Sequence, residues 1–288
     1  MEVFIRKFMS FVAIVCLYFG VNAVINLLII ESTEPEVKNT SLLIMGDSRV
    51  KKAIDPKLLP DAQNIAQLAE PYYITYWKLK ELLPLIEPNT LMLGFGAHNI
   101  SSFNDYKLID GKWSAEMFTR TYSLNPLYHF DALPVDYKAL CKVVWQQTCV
   151  YPKLSHYKYI GKYDNIDYSK ISDADESIQR HYYRADTLLT VSEVSVSYLD
   201  SIIDLTKENR VELILINVPV HSSYRKKIPQ NFIDNYLDLS SKLVESGVSI
   251  ISEDSNYPDN LFLNSDHLNK NGAQRFTREL RVALARVK

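Results

Sequence analysis

The chain opens on a long apolar run: from Phe8 to Ile30 no residue is charged, and Leu, Ile, Val, Phe and Ala dominate. As a helix, a run of that length crosses about 30 Å of hydrocarbon. Residues 31–40 are polar and read as a linker. Four short apolar runs follow, at Ser41–Met45, Thr90–Phe95, Val211–Asn217 and Val248–Ile251. Their shortness and lack of alternation predict strands buried on both faces of a parallel sheet. Helical spacing appears between them, with Tyr72, Tyr76, Leu79 and Leu83 on one face, and again over 191–209, 231–245 and 272–287. Buried strands alternating with helices predict an α/β domain over 41–288.

Charge refines the first element. Arg6 and Lys7 precede the run, and Glu31, Glu34 and Glu36 follow it. That asymmetry predicts a single-pass anchor over residues 8–30 in the cytoplasmic membrane, with a cytoplasmic N-terminus and everything after Ile30 outside. A signal peptide cut after Ala23 is the competing reading. The continuation through Val24–Ile30 favours the anchor, because a signal core is normally shorter.

The 288 residues carry 32 Lys+Arg against 34 Asp+Glu. With no basic excess to neutralise phosphates, a dedicated nucleic-acid binder is not expected. The apolar fraction of 47% supports a real core and excludes disorder. Three cysteines cannot build a disulfide scaffold or a four-cysteine zinc site, and no metal-ligand spacing, P-loop or dinucleotide-binding glycine pattern occurs. Residues 101–190 break the strand–helix rhythm and hold 11 of the 19 tyrosines, so they read as a helical or irregular insertion on the ligand side of the sheet. Within it, Cys141 and Cys149 lie close enough in sequence for a disulfide outside the membrane, although spacing alone does not decide it.

The candidate chemistry begins where the first strand stops, at Gly46-Asp47-Ser48. Ligands bind at the carboxyl ends of parallel strands, and a serine there exposes both its hydroxyl and its N–H. Such a serine needs a base. His267, between the last strand and the last helix, returns to the same sheet edge. His221, after Val218-Pro219-Val220, ends the third run and is a candidate pocket residue. Arg49, Lys51 and Lys52 read as a solvated basic face.

Gly46-Asp47-Ser48, together with Asp266-His267-Leu268-Asn269 and Gly272-Ala273, resembles the SGNH (GDSL-like) hydrolase and acyltransferase superfamily. The likeness covers about 41–100 and 192–288. It implies a three-layer α/β/α, flavodoxin-like sheet, no cofactor, and an acyl-enzyme on Ser48 with His267 as base. Asn64-Ile65-Ala66-Gln67-Leu68-Ala69 resembles the second family block, and Gly94-Phe95-Gly96-Ala97-His98-Asn99 the third. The resemblance therefore implies an oxyanion hole from the N–H groups of Ser48 and Ala69 and the side chain of Asn99, with Asn64 a weaker candidate. Asp47 and His98 become substrate-side contacts. The family orients its histidine with an aspartate three residues earlier, where this chain has Asn264. Either Asn264 or the adjacent Asp266 takes that role, with Asn264 expected to reach the ring over a helical-type turn and Asp266 to point elsewhere.

For an anchored domain outside the membrane, the resemblance implies an esterase or O-acyltransferase acting on acyl, above all acetyl, esters of a cell-surface glycan. An acylated glycan is then the substrate and a membrane acyl-donor protein the partner. The alternative is a catalytically weak, anchored glycan-binding or assembly protein, motivated by Asn264 and the tyrosine-rich insertion.

Overall fold

A computed structural model describes residues 1–124, 133–252 and 257–287. The chain divides into two compact units: residues 37–106 with 160–288, and residues 1–36 with 107–159.

The larger unit is built on five parallel strands: β1 (Leu42–Met45), β2 (Ala62–Asn64), β3 (Thr90–Gly94), β6 (Glu212–Asn217) and β7 (Ser249–Ser252), in the order β2-β1-β3-β6-β7. This is the flavodoxin-like order, whose switch point lies between β1 and β3. Four strands occupy the predicted apolar runs; β1, β3 and most of β6 are buried on both faces as expected, whereas β7 is only partly buried because it stands at the sheet edge. β2 was not predicted, because three partly polar residues at a sheet edge carry no periodic signal; it pairs Leu42 with Ala62 and Ile44 with Asn64. Two short antiparallel hairpins complete the strands: β4 (Tyr183–Arg184) with β5 (Thr187–Leu188), and β8 (Phe262–Asn264) with β9 (His267–Leu268).

Helices cover both faces. On one, α2 (Ser48–Ala53) and α10 (Lys270–Val287) pack through Val50, Ala53, Phe276 and Leu280 onto Leu42, Ile44, Met92 and Ile216. Alternation turns Leu43 and Met45 to the opposite face. There α3 (Tyr72–Leu82) packs on α7 (Glu193–Glu208), and α7 on β6; α9 (Gln230–Glu245) packs on β7. Gly46 permits the tight exit from β1. Its φ of 139° is open to glycine, and a Cβ there would sit 3.1 Å from both the Gly94 nitrogen and a Val50 methyl. Burying the large apolar side chains of this cluster, each worth roughly 1.5–3 kcal/mol, is what holds α2 against the strand ends.

The smaller unit holds α1 (Glu2–Ser32), α4 (Gly111–Thr121), α5 (Tyr137–Val144) and a π-helical turn, Trp145–Cys149. α1 is long and apolar enough to cross a membrane. Over 101–190 the larger unit adds α6 (Ala174–Tyr182) and the β4–β5 hairpin, and residues 125–132 lie outside the described residues. Cys16, Cys141 and Cys149 are all free thiols, so Cys141 and Cys149 are not paired.

Candidate active site

Ser48 is the first residue of α2 and is capped from behind by Asp47, whose Oδ1 accepts the Arg49 N–H at 2.9 Å. An aspartate in this position satisfies an otherwise orphaned amide of the first turn. His267 stands on β9, and its Nε2 accepts from the Ser48 hydroxyl at 2.8 Å. Both residues are half-buried, so the pair is reachable. Distance and direction match a nucleophile and its base.

The other face of the imidazole differs from the sequence expectation in its architecture. Asn264 and His267 are cross-strand partners in the β8–β9 hairpin, with Ser265 and Asp266 as its turn. Partners in an antiparallel pair present their side chains on the same face, and that pairing, not a helical turn, brings the Asn264 Oδ1 to 2.9 Å from Nδ1. The Nδ1–H donates to this amide oxygen, which fixes the tautomer that leaves Nε2 free to accept. Asp266 does not point elsewhere. Its Oδ1 also lies 2.9 Å from Nδ1, off the axis of the N–H bond, while Oδ2 is 3.9 Å from the Nε2 of His181. Asn264 thus makes the hydrogen bond, and Asp266 supplies a negative charge beside it. Burial raises the Asp266 carboxyl, yet His267, His181 and Arg49 together hold it well below the usual carboxylate range. The hairpin is tied down by the Ser265 N–H, which donates to Asp173 at 2.9 Å, and by the His221 N–H, which donates to the Ser265 carbonyl at 3.0 Å.

Behind Ser48 lies a second polar cluster. The Asp47 Oδ2 accepts from the Nε2–H of His98 and, at 2.9 Å, from the Asn99 amide. Asn99 in turn accepts the Gly96 N–H at 2.9 Å. One Asn99 amide hydrogen is therefore engaged by Asp47, leaving the second as the candidate oxyanion donor. Burial, reinforced by Arg49, lowers His98 to about 4 against the opposing pull of Asp47, so the ring is neutral at pH 7. Asp47 itself is held low by His98 and Arg49 despite its burial.

Arg49 corrects the reading of a solvated basic face. It is 5% exposed, its guanidinium lies 4.7 Å from the ring centre of Tyr224, and its charge acts on Asp47 and Asp266 alike. Lys51 is also buried, donating to the Lys162 carbonyl at 2.7 Å. His181 belongs to the same network: burial holds it well below the usual histidine range, and its Nδ1 pairs with the Tyr224 hydroxyl at 2.8 Å. Nothing in the sequence marked His181 or Tyr224, because both come from segments remote from the motifs and neither has a distinctive spacing.

The remaining candidates fall as follows. Ala69 sits in the loop after β2 with φ 54°, a left-handed conformation that favours glycine. Asn64 donates to the carbonyls of Val50 and Ile54 and accepts from Ala66, so its polar atoms tie the loop and not the pocket. The loop is further fixed by a fully buried Lys78, which donates to Glu70 at 2.6 Å and to the carbonyls of Ile65 and Ile160. His221 pairs with Asp259 at 3.0 Å and with Ser223. Next to the site, at the carboxyl ends of β3, β6 and β7, a cavity of about 330 Å³ is lined by Arg49, Ala97, Asn217, Val218, Tyr236 and Ser252, among others. Among the described residues no cluster of His, Cys, Asp and Glu could hold a metal ion.

No family model matches the chain, and no curated protein matches it significantly. Its similarities are to solved structures. A GDSL-like lipase from Bacteroides thetaiotaomicron is 11% identical, with a TM-score of 0.43 over 94% of this chain and 98% of that one. A lipase/acylhydrolase from Enterococcus faecalis is 14% identical, with a TM-score of 0.38 over 84% and 96%. An acetyl xylan esterase from Butyrivibrio proteoclasticus is 13% identical, with a TM-score of 0.34 over 88% and 64%. At these identities and scores they assign no activity, and the functional reading rests on the site.

Proposed function

We propose that the chain is a serine ester hydrolase or O-acyltransferase that works through an acyl-enzyme on Ser48. The observation that carries this reading is the Ser48–His267–Asn264 alignment, with 2.8 Å on one side of the imidazole and 2.9 Å on the other. Ser48 Oγ attacks the acyl carbonyl as its proton passes to Nε2. The charged imidazole is stabilised by Asp266, which a neutral Asn264 cannot do alone. The oxyanion is received by the Ser48 and Ala69 N–H groups and the second Asn99 amide hydrogen. His267 returns the proton to the departing alkoxide. Water, or an acceptor hydroxyl in the transfer variant, then attacks the acyl-enzyme with the proton again taken by Nε2, and Ser48 is regenerated.

The substrate assigned to this site is an acyl ester of a glycan at the outer face of the membrane, with α1 as the anchor and a membrane acyl-donor protein as partner for transfer. The charge asymmetry around the apolar run supports this placement. The test is fluorophosphonate labelling and p-nitrophenyl acetate hydrolysis by the full chain, with Ser48→Ala as control. Labelling and turnover lost in the variant support the enzyme. A folded chain inert to both points to the binding protein.

A further inference from the structure

The apolar helix is not uniformly apolar. Tyr18, Asn22 and Asn26 recur every fourth residue and so share one face. That face is occupied by the smaller unit's own chain. Tyr18 donates to the Val150 carbonyl at 3.2 Å, and Asn22 to the Cys149 carbonyl at 3.2 Å. The Asn26 amide donates to the carbonyls of Thr148 at 2.6 Å and Tyr151 at 2.9 Å, while its oxygen accepts the Lys153 N–H and the His156 ring. Phe19 packs on Trp145 at 4.7 Å between ring centres. The carbonyls at the end of a helix have no partner within it. Here side chains of α1 supply those partners, which is what irregular backbone needs where water is scarce.

The position of these contacts along α1 decides where they lie. At 1.5 Å per residue, Tyr18 and Asn26 stand about 15 and about 27 Å beyond Phe8. A span of about 30 Å starting at Phe8 puts Tyr18 near the midplane and Asn26 in the leaflet through which α1 leaves the bilayer. The segment bound to them carries outward apolar and aromatic side chains: Trp145, Val150, Tyr151 and Tyr157 are exposed, and Leu154 is fully so at 102%. Residues 137–159 also hold Lys138, Lys142, Lys153 and Lys158 without one acidic residue. Aromatic rings interleaved with lysines suit the boundary between acyl chains and anionic headgroups.

We infer that residues 145–154 are a wedge inserted beside α1 into one leaflet of an anionic membrane, so that the chain is seated on the lipid surface by two elements and not by its anchor alone. The inference rests on reading α1 as the membrane anchor. The full chain in phosphatidylglycerol–phosphatidylethanolamine vesicles tests it in two single-tryptophan forms. Both carry Trp77→Phe and Trp113→Phe; one keeps Trp145, and the other has Trp145→Phe with Phe11→Trp. Loss of emission to acyl-chain-brominated lipid in both forms supports the wedge. Loss only in the Phe11→Trp form, with Trp145 quenched by aqueous iodide, overturns the wedge and leaves the anchor. Loss in neither overturns both. Because Trp145 packs on Phe19, a second readout uses the fully exposed Leu154. In a Cys16→Ser, Cys141→Ser, Cys149→Ser background, Leu154→Cys bearing an environment-sensitive dye should gain emission on reconstitution. An unchanged signal overturns the wedge.

Discussion

The Asn264 Oδ1 lies 2.9 Å from the His267 Nδ1 because the two residues are cross-strand partners in a hairpin whose turn is Ser265–Asp266. The hairpin also folds Asp266 back, so that its carboxylate Oδ1 comes within 2.9 Å of the same nitrogen. Orientation and charge, which one aspartate supplies in the familiar triad, are divided here between an amide and a neighbouring carboxylate.

This division ranks the variants. Ser48→Ala or His267→Ala should abolish turnover with an acetyl ester, a loss of about 10⁴ or more in kcat. Asp266→Asn should lower kcat by roughly 10²–10⁴ with KM little changed, because the imidazolium loses its one adjacent negative charge. Steady-state kinetics that leave kcat of Asp266→Asn intact would remove Asp266 from the mechanism.

Asn264→Asp places a second carboxylate beside Asp266. Two such groups at this distance cannot both ionise freely, so one is pushed upward. The expected outcome is a gain in kcat confined to higher pH and a pH–rate profile with an added acidic limb. A profile identical to that of the parent chain would show that the pair does not couple.

The fold should weaken in mild acid. His98 is held neutral at about 4 in the folded chain against 6.5 in the unfolded one, so the unfolded state binds the extra proton between those values. Stability is then complete above about pH 6.5 and falls as the pH drops towards 4. The buried, neutral His181 acts in the same direction. Urea unfolding at pH 7 and pH 5 should show the loss, and His98→Gln should flatten it; equal slopes in both proteins would assign the effect elsewhere.

Lys78 is fully buried against Glu70. Lys78→Met leaves that carboxylate buried beside an apolar group and should cost about 3–5 kcal/mol. Adding Glu70→Gln should recover part of the loss in urea unfolding midpoints. A single variant as stable as the parent would show that the loop after β2 does not depend on the pair.

The α1 contacts bear on processing. Cleavage after Ala23 would separate Asn22 from the Cys149 carbonyl it binds. On the proposed anchor, N-terminal sequencing should therefore find α1 retained, and a mature terminus at Val24 would replace the anchor with a signal peptide.

The apolar run, the three strands buried on both faces, the partly buried edge strand β7 and the alternating helices are legible in the sequence because burial demands contiguous apolar residues and helices demand their own period. Ser48 and His267 are legible because each follows a strand end, and parallel strands gather their carboxyl ends at one edge. The third member was not: whether Asn264 or Asp266 meets the imidazole depends on a two-residue hairpin turn, and β8 and β9 are too short to carry a pattern. Arg49 was misread for a related reason. Composition cannot say which lysine or arginine in a basic cluster is buried, since that depends on what packs over it, here Tyr224 from the remote helix α8 (Ser222–Arg225). The partners of Asn22 and Asn26 lie more than 120 residues away, and only the folded chain could turn two polar interruptions of an apolar helix into its docking face.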